Sequence, residues 1–225
     1  ASGTFAETAA NEFYTMIISN TVPAIPLFTL TGFILSESRA GTRLIRAFNA
    51  FFGWMPGGII IAAVIICAFF TVFTGASGVT ILAMGGLLAI VLEKSGIDEK
   101  YRTGLLCSAG SIGLLFPPSL PLILYGIIAQ LDIKALFVGG IIPGILLVIS
   151  LIITGFIYIS KHMIEIIKPS VSECVISFRD CFWEILLPFI IIISYFSGLT
   201  TLVETGAVAV VYTMLVEFVI KKELH

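Results

Sequence analysis

Charge is absent over long stretches of the chain, which falls into apolar runs divided by short polar connectors. Uncharged runs cover residues 13–36, 47–92, 103–131, 135–160 and 185–203. Each reaches or approaches the roughly 20 apolar residues that a helix needs to cross the hydrocarbon core of a bilayer. No single soluble core could bury them all. Segments of about ten residues with alternating apolar and polar side chains, the mark of an outer-membrane barrel, do not occur. The pattern predicts an all-α, polytopic integral membrane protein.

The same pattern divides the chain into four parts. Over residues 1–17, Phe5, Ala9, Phe13, Met16 and Ile17 recur at helical spacing with Glu7, Asn11 and Glu12 between them, which predicts an amphipathic lead-in at the membrane surface. Residues 18–160 carry most of the apolar sequence. A polar connector over 161–181 contains Lys161, His162, Lys168 and Arg179, with His162 read as solvated. Residues 182–225 hold two spans, about 182–200 and 204–220, joined by the turn Ser197-Gly198-Leu199-Thr200-Thr201. The basic residues of the connector and Lys221-Lys222 are two crossings apart, so both sets fall on the cytoplasmic side.

Three interruptions are expected within residues 18–160. Pro23 and Pro26 deny a continuous hydrogen-bond ladder, so a kinked or re-entrant element is expected at Val22–Pro26. The run 47–92 would measure about 69 Å as one helix, over twice a hydrocarbon core of about 30 Å. It must turn, and TGASG at Thr74–Gly78 is the natural place. Pro117-Pro118 break the next run near its middle, at 116–119, with Pro121 close behind.

Composition agrees and removes several classes of function. Hydrophobic residues make up 58% and charged residues 12%, about half the share usual in a soluble domain. Twelve basic residues are dispersed among fourteen acidic ones for a net charge of −2, which leaves no basic stripe for nucleic acid. The four cysteines form no CxxC pair and the two histidines lie far apart, so neither a zinc site nor a disulfide framework is suggested. No GxxxxGK[ST] loop is present, and no serine has a neighbouring His and Asp. The chain is therefore read as a non-enzyme without a resident cofactor, and any uphill transport draws on an ion gradient or another chain. It opens Ala1-Ser2-Gly3-Thr4 without an initiating Met or a basic stretch before an apolar one, and reads as the middle of something longer.

In lipid, unwound backbone is tolerated only where protein buries it or where it lines a watery cavity, so interruptions point to sites. Thr74-Gly75-Ala76-Ser77-Gly78-Val79-Thr80 combines two glycines with three hydroxyls. Half-helix ends, freed carbonyls and hydroxyls together would hold a small cation or a substrate carboxylate. The same small residues would equally let helices pack closely. In Ser111–Pro121, three prolines within five residues forfeit several hydrogen bonds where a kink needs one proline, which favours a functional break over a structural corner. Glu184 and Glu217 stand near span ends and are read as snorkelling or facing water, while Glu204 suits either a helix cap or a functional role. Cys67 and Cys107 are read as small apolar core residues.

FTGASGVTILAMGG, GLLCSAGSIGLLFPPSLPLILYG and the IIPG of Ile141–Gly144, in that order, closely resemble the large membrane subunit of tripartite ATP-independent periplasmic (TRAP) transporters, the DctM family. IPLFTLTG at Ile25–Gly32 and GLTTLVETGAVAVVYT at Gly198–Thr213 extend the likeness over nearly the whole chain. The resemblance implies part of an inverted-repeat, elevator-type secondary transporter in a bacterial or archaeal cytoplasmic membrane. It would be coupled to sodium and would import small organic acids. It further implies a periplasmic substrate-binding protein and a small membrane subunit as partners, with membrane lipid around them. By position, Thr74, Gly75, Ser77 and Gly78 would lie in the ion and substrate region, Ser77 beside sodium, and Gly113, Pro117, Pro118 and Ser119 in the following break. Many members carry a second Ser after the SG where this chain has Val79, which leaves Thr80 as a substitute hydroxyl. Thr201-Leu202-Val203-Glu204 keeps only the ends of the family's TPTE. A dozen membrane elements would make a whole subunit, so about half of one is expected here. A passive pore or a scaffold subunit is the alternative, but neither ring-forming charges nor a repeated filter motif is present.

Overall fold

The computed structural model describes residues 19–160 and 171–223, together with Glu7, Thr8, Ala10, Asn11 and Tyr14. Most of the expected lead-in and His162 lie outside the described residues. The helices are α1 (Ala24–Glu37), α2 (Ala40–Phe52), α3 (Gly58–Thr74), α4 (Ser77–Lys94), α5 (Glu99–Ile112), α6 (Leu120–Ile128), α7 (Ile133–Ile159), α8 (Val171–Phe196) and α9 (Leu202–Met214). A 3-10 turn, Gly113–Leu115, follows α5, and a π-helical turn, Leu215–Ile220, extends α9. No strand occurs among the described residues. Residues 171–181, expected as connector, are the first turns of α8.

Three helical segments, Ser77–Lys94, Ile133–Ile159 and Leu202–Ile220, are long and apolar enough to cross a membrane, and Glu99–Leu115 with Leu120–Ile128 forms a fourth, bent by 45°. Asp132 caps α7, its carboxylate accepting from the Lys134 N–H at 3.0 Å. Val22–Pro26 is a helix start: Pro23 occupies the N-cap of α1 and Pro26 its first turn, where a missing N–H forfeits no helical bond. Glu204 and Thr201 form a reciprocal capping box at the start of α9, the Thr201 N–H donating to Glu204 Oε2 at 2.7 Å.

Contacts at the two ends of α7 sort the other elements by side. At its C-terminal end, the Asp98 N–H donates to the Tyr158 hydroxyl at 3.0 Å, and Tyr101 stacks on Tyr158 with centroids 3.9 Å apart. Gly57 faces Ile159 and Phe156 at that same end. At the opposite end, Lys134 Nζ donates to the Phe196 carbonyl at 2.9 Å. The start of α3 and the end of α4 therefore lie on one side, and the pair is a helical hairpin whose tip, Thr74–Ser77, points into the protein. At 1.5 Å per residue α3 rises about 25 Å, short of a core of about 30 Å.

Apolar on every face, α3 is the central element, buried along nearly its whole length against α1, α2, α4, α5 and α7. Two glycines let backbones approach it. A Cβ on Gly32 of α1 would stand 2.7 Å from the backbone of Phe73 and Thr74, and one on Gly113 would stand 2.4 Å from the Ala68 carbonyl oxygen. Small residues serve the same close approach between membrane helices generally.

A buried ion cluster joins the surface helix α2 to α8 and α9. The Arg43 guanidinium donates to Glu184 and to Glu217, at 2.8 Å for Glu217 Oε1, and it pairs with Glu223 at 2.5 Å. The side chains of Glu184 and Glu217 are 0% exposed, so neither snorkels or faces water as their sequence positions suggest. Burial pushes the Glu223 carboxyl up, but hydrogen bonds from Arg43 and from the Arg39 N–H outweigh it and hold it below the ordinary carboxylate range.

Two outcomes are expected. Gly32→Ala forces a methyl against backbone and should cost about 1–3 kcal/mol, whereas Gly86→Ala in α4, which meets open space, should be neutral or stabilising; thermal unfolding in detergent compares them. Arg43→Ala strands two buried carboxylates and should cost about 3–5 kcal/mol, with part of the loss recovered when Glu184→Gln and Glu217→Gln are added.

Candidate functional site

The hairpin tip follows from its local sequence. Gly75 takes the left-handed conformation, φ +65°, as the cap of α3, and its N–H donates to the Thr71 carbonyl at 2.9 Å. Ala76 is extended, and α4 begins at Ser77. The C-terminal end of α3 and the N-terminal end of α4 therefore meet, with opposite partial charges. Thr74 and Thr80 close the tip from inside: both are buried, and their hydroxyl oxygens lie 2.8 Å apart. The Thr74 hydroxyl also lies 3.4 Å from the Ala76 carbonyl.

Ser77 and Gly78 point elsewhere. Ser77 is half-buried, Gly78 is exposed with open space around it, and Val79 and Leu82 continue the exposed face. The first N–H groups of α4 have no acceptor within their own helix, as at any helix N-terminus, and Thr80 is the first to bond back, to the Ala76 carbonyl at 3.2 Å.

The second interruption is assembled against the first. After the 3-10 turn, Phe116 is extended, the Pro117-Pro118 bond is cis, and Ser119 caps α6. The fully buried Ser119 hydroxyl donates to the Leu114 carbonyl and accepts from the Leu122 N–H at 3.5 Å. Thr71 Oγ1 lies 2.8 Å from the Cys67 carbonyl and 2.9 Å from that of Gly110, tying α3 to the last turn of α5. Gly75 faces Leu120, with which its Cβ would collide at 2.2 Å, and Gly110 faces Ile81.

The buried Thr74 and Thr80 and the half-buried Gly75 thus sit together against the start of α6, and Gly113 supports them by leaning on α3. Pro117 and Pro118 turn away, toward Phe137, Ile191, Leu202 and Thr205. A cavity of about 280 Å3 lies beside Pro117, but its walls are Phe69, Val72, Phe73, Phe116, Ile141, Pro188 and Ile192, which offer a carboxylate no polar partner. Among the described residues no three His, Cys, Asp or Glu side chains gather as a metal site, so a cation at the tip would rest on hydroxyl and carbonyl oxygens. Thr71 did not stand out in the sequence, although its spacing of three from Thr74 puts both hydroxyls on one side of α3. Cys67 is buried and Cys107 exposed.

Comparison with known proteins follows the same segments. The family model described as "Tripartite ATP-independent periplasmic transporter, DctM component" matches residues 3–225. The chain is 32% identical over 216 residues to the C4-dicarboxylate TRAP transporter large permease protein DctM of Pseudomonas aeruginosa, covering 96% of this chain and 49% of that one. It is 32% identical to the protein of that name from Vibrio cholerae, over 97% of this chain and 48% of the relative. It is 30% identical to the ectoine TRAP transporter large permease protein TeaC of Halomonas elongata, over 97% and 51%. The chain spans about half the length of these curated relatives.

A double-mutant cycle tests the closure of the tip. Thr74→Val and Thr80→Val should each destabilise, with a coupling of about 0.5–1.5 kcal/mol for the shared hydrogen bond. Ser77→Ala should change stability by less than about 0.5 kcal/mol, because its side chain is half-buried outside that bond. Chemical unfolding in mixed micelles measures all three.

Proposed function

The chain belongs to the DctM component family of the tripartite ATP-independent periplasmic transporters, and from that premise we propose that it forms part of the permease of a sodium-coupled secondary transporter. In this reading the complete permease imports small organic acids, receives them from a periplasmic substrate-binding protein and works beside a small membrane subunit. It resides in the cytoplasmic membrane, with Arg39, Arg43, Arg46, Lys221 and Lys222 on the cytoplasmic side.

The observation that carries this reading is the helical hairpin whose unwound tip is braced by a second helix break. Membrane proteins keep such unwound backbone where it serves a site. The N-terminal end of α4 offers N–H groups and a positive partial charge to a carboxylate, while Ser77 and the carbonyls of the tip offer oxygens to sodium. Relatives named for C4-dicarboxylate and ectoine transport support a small polar substrate. A scaffold subunit would have no reason to interrupt two apolar segments and rejoin them.

The complete transporter in liposomes should take up a C4-dicarboxylate only with both an inward sodium gradient and its binding protein; uptake that ignores sodium would defeat the coupling. Ser77→Ala should raise the sodium concentration needed for half-maximal uptake about tenfold, the loss of one oxygen contact to a charged group. Unchanged sodium dependence would move Ser77 to helix packing.

A further inference from the structure

Apart from the hairpin, a cavity lined by charged side chains lies at the cytoplasmic ends of α8 and α9, beneath α2. Its volume is about 330 Å3, and Arg39, Arg43, Arg46 and Lys221 line it. Asp180 and Glu223 are its carboxylates. Glu223 already holds Arg43 and the Arg39 N–H, and Arg46 donates to Glu173 at 3.0 Å and stands 3.9 Å from Asp180. Arg43 is further neutralised from beneath by Glu184 and Glu217. Lys221 spends one hydrogen on the Asp180 carbonyl at 2.6 Å. The cavity therefore keeps cationic charge at Arg39 and Lys221, whose side chains have no carboxylate within ion-pair distance among the described residues.

A second observation is independent of charge. Ser177, also on the wall, is 1% exposed, yet its hydroxyl has no hydrogen-bond partner among the described residues. The Arg43 Nε is likewise buried and without a partner among them. Buried donors are costly when left unpaired, and an acceptor-rich anion would satisfy both. The location selects its source. The amphipathic α2 exposes Thr42 and Arg46 and buries Leu44, Ile45 and Ala47, as a helix lying along the membrane surface does. Basic pockets between membrane helices on this side take phospholipid headgroups.

We propose that this pocket is a phosphate site for the headgroup of an anionic phospholipid of the cytoplasmic leaflet, with Arg39 and Lys221 supplying charge and Ser177 a hydroxyl donor. The bound lipid would pin α2 over α8 and α9, independently of what the hairpin transports.

The complete permease, purified in a zwitterionic detergent, is titrated with phosphatidylglycerol, phosphatidylcholine or inorganic phosphate while its thermal midpoint is followed. Phosphatidylglycerol should raise the midpoint at concentrations where phosphatidylcholine does not. Arg39→Gln and Lys221→Gln should each raise the half-saturating concentration about fivefold, and Ser177→Ala should raise it as well. An equal response to inorganic phosphate, with the same dependence on Arg39 and Lys221, would uphold the phosphate site but overturn the lipid as its source. Equal shifts with both lipids, or variants that respond as the unaltered protein does, would overturn the site itself.

Discussion

A backbone that leaves the helix inside a bilayer must find its hydrogen bonds in protein, and the arrangement of this chain follows from that requirement. The tip between α3 and α4 exposes peptide groups that lipid could not satisfy. They are met from within: the Gly75 N–H by the Thr71 carbonyl, and the Ala76 carbonyl by the N–H of Thr80. The Gly110 carbonyl, freed as α5 ends, is met by Thr71, and Leu114 by Ser119. The Thr71–Gly110 bond crosses between α3 and α5 and requires the two to come close, and glycines stand at positions 32, 110 and 113, against the backbone or branches of their neighbours.

A different constraint holds the end of the fold where α2 lies. One arginine on α2 binds carboxylates from α8, α9 and the segment just after it. The members of such a cluster are individually expensive to bury, so each stays in place only while its partners do, and removing one strands the others. α2 also packs on α3, and α9 packs along α1. The cluster consequently sets the position of the elements between which the hairpin is seated, although it lies at the opposite end of α3 from the tip.

Much of this was legible in the chain and some was not, for identifiable reasons. The breaks at Thr74–Gly78 and Phe116–Ser119 could be read because glycine and proline act locally. Pro23 and Pro26 fall where turn gives way to α1, and that both sit at a helix start rather than in an interior is known only once that start is known. That α3 and α4 form a hairpin could not be read, since an apolar run carries no direction; it is decided by Gly57 and Asp98 meeting the same end of α7. Glu184 and Glu217 looked peripheral because their partner lies 141 and 174 residues away. Their nearness to span ends was visible, and the cation that buries them was not.

The tip also bears on which hydroxyls could serve an ion in the proposed transport cycle. Successive residues of a helix point about 100° apart, so positions 79 and 80 face different ways. Thr80 turns inward onto Thr74, whereas position 79, where many family members carry a second Ser, is an exposed valine here. A hydroxyl facing inward at 80 does not replace one facing outward at 79. It is already used in holding the tip closed, and to reach an ion on the outer face it would have to give up Thr74. The outward group that remains is Ser77, next to the extended Ala76 backbone. An ion on that face would therefore depend on one side-chain hydroxyl and on peptide carbonyls, which makes its affinity sensitive to the backbone geometry of Gly75 and Ala76 and hence to the packing of Leu120 against them.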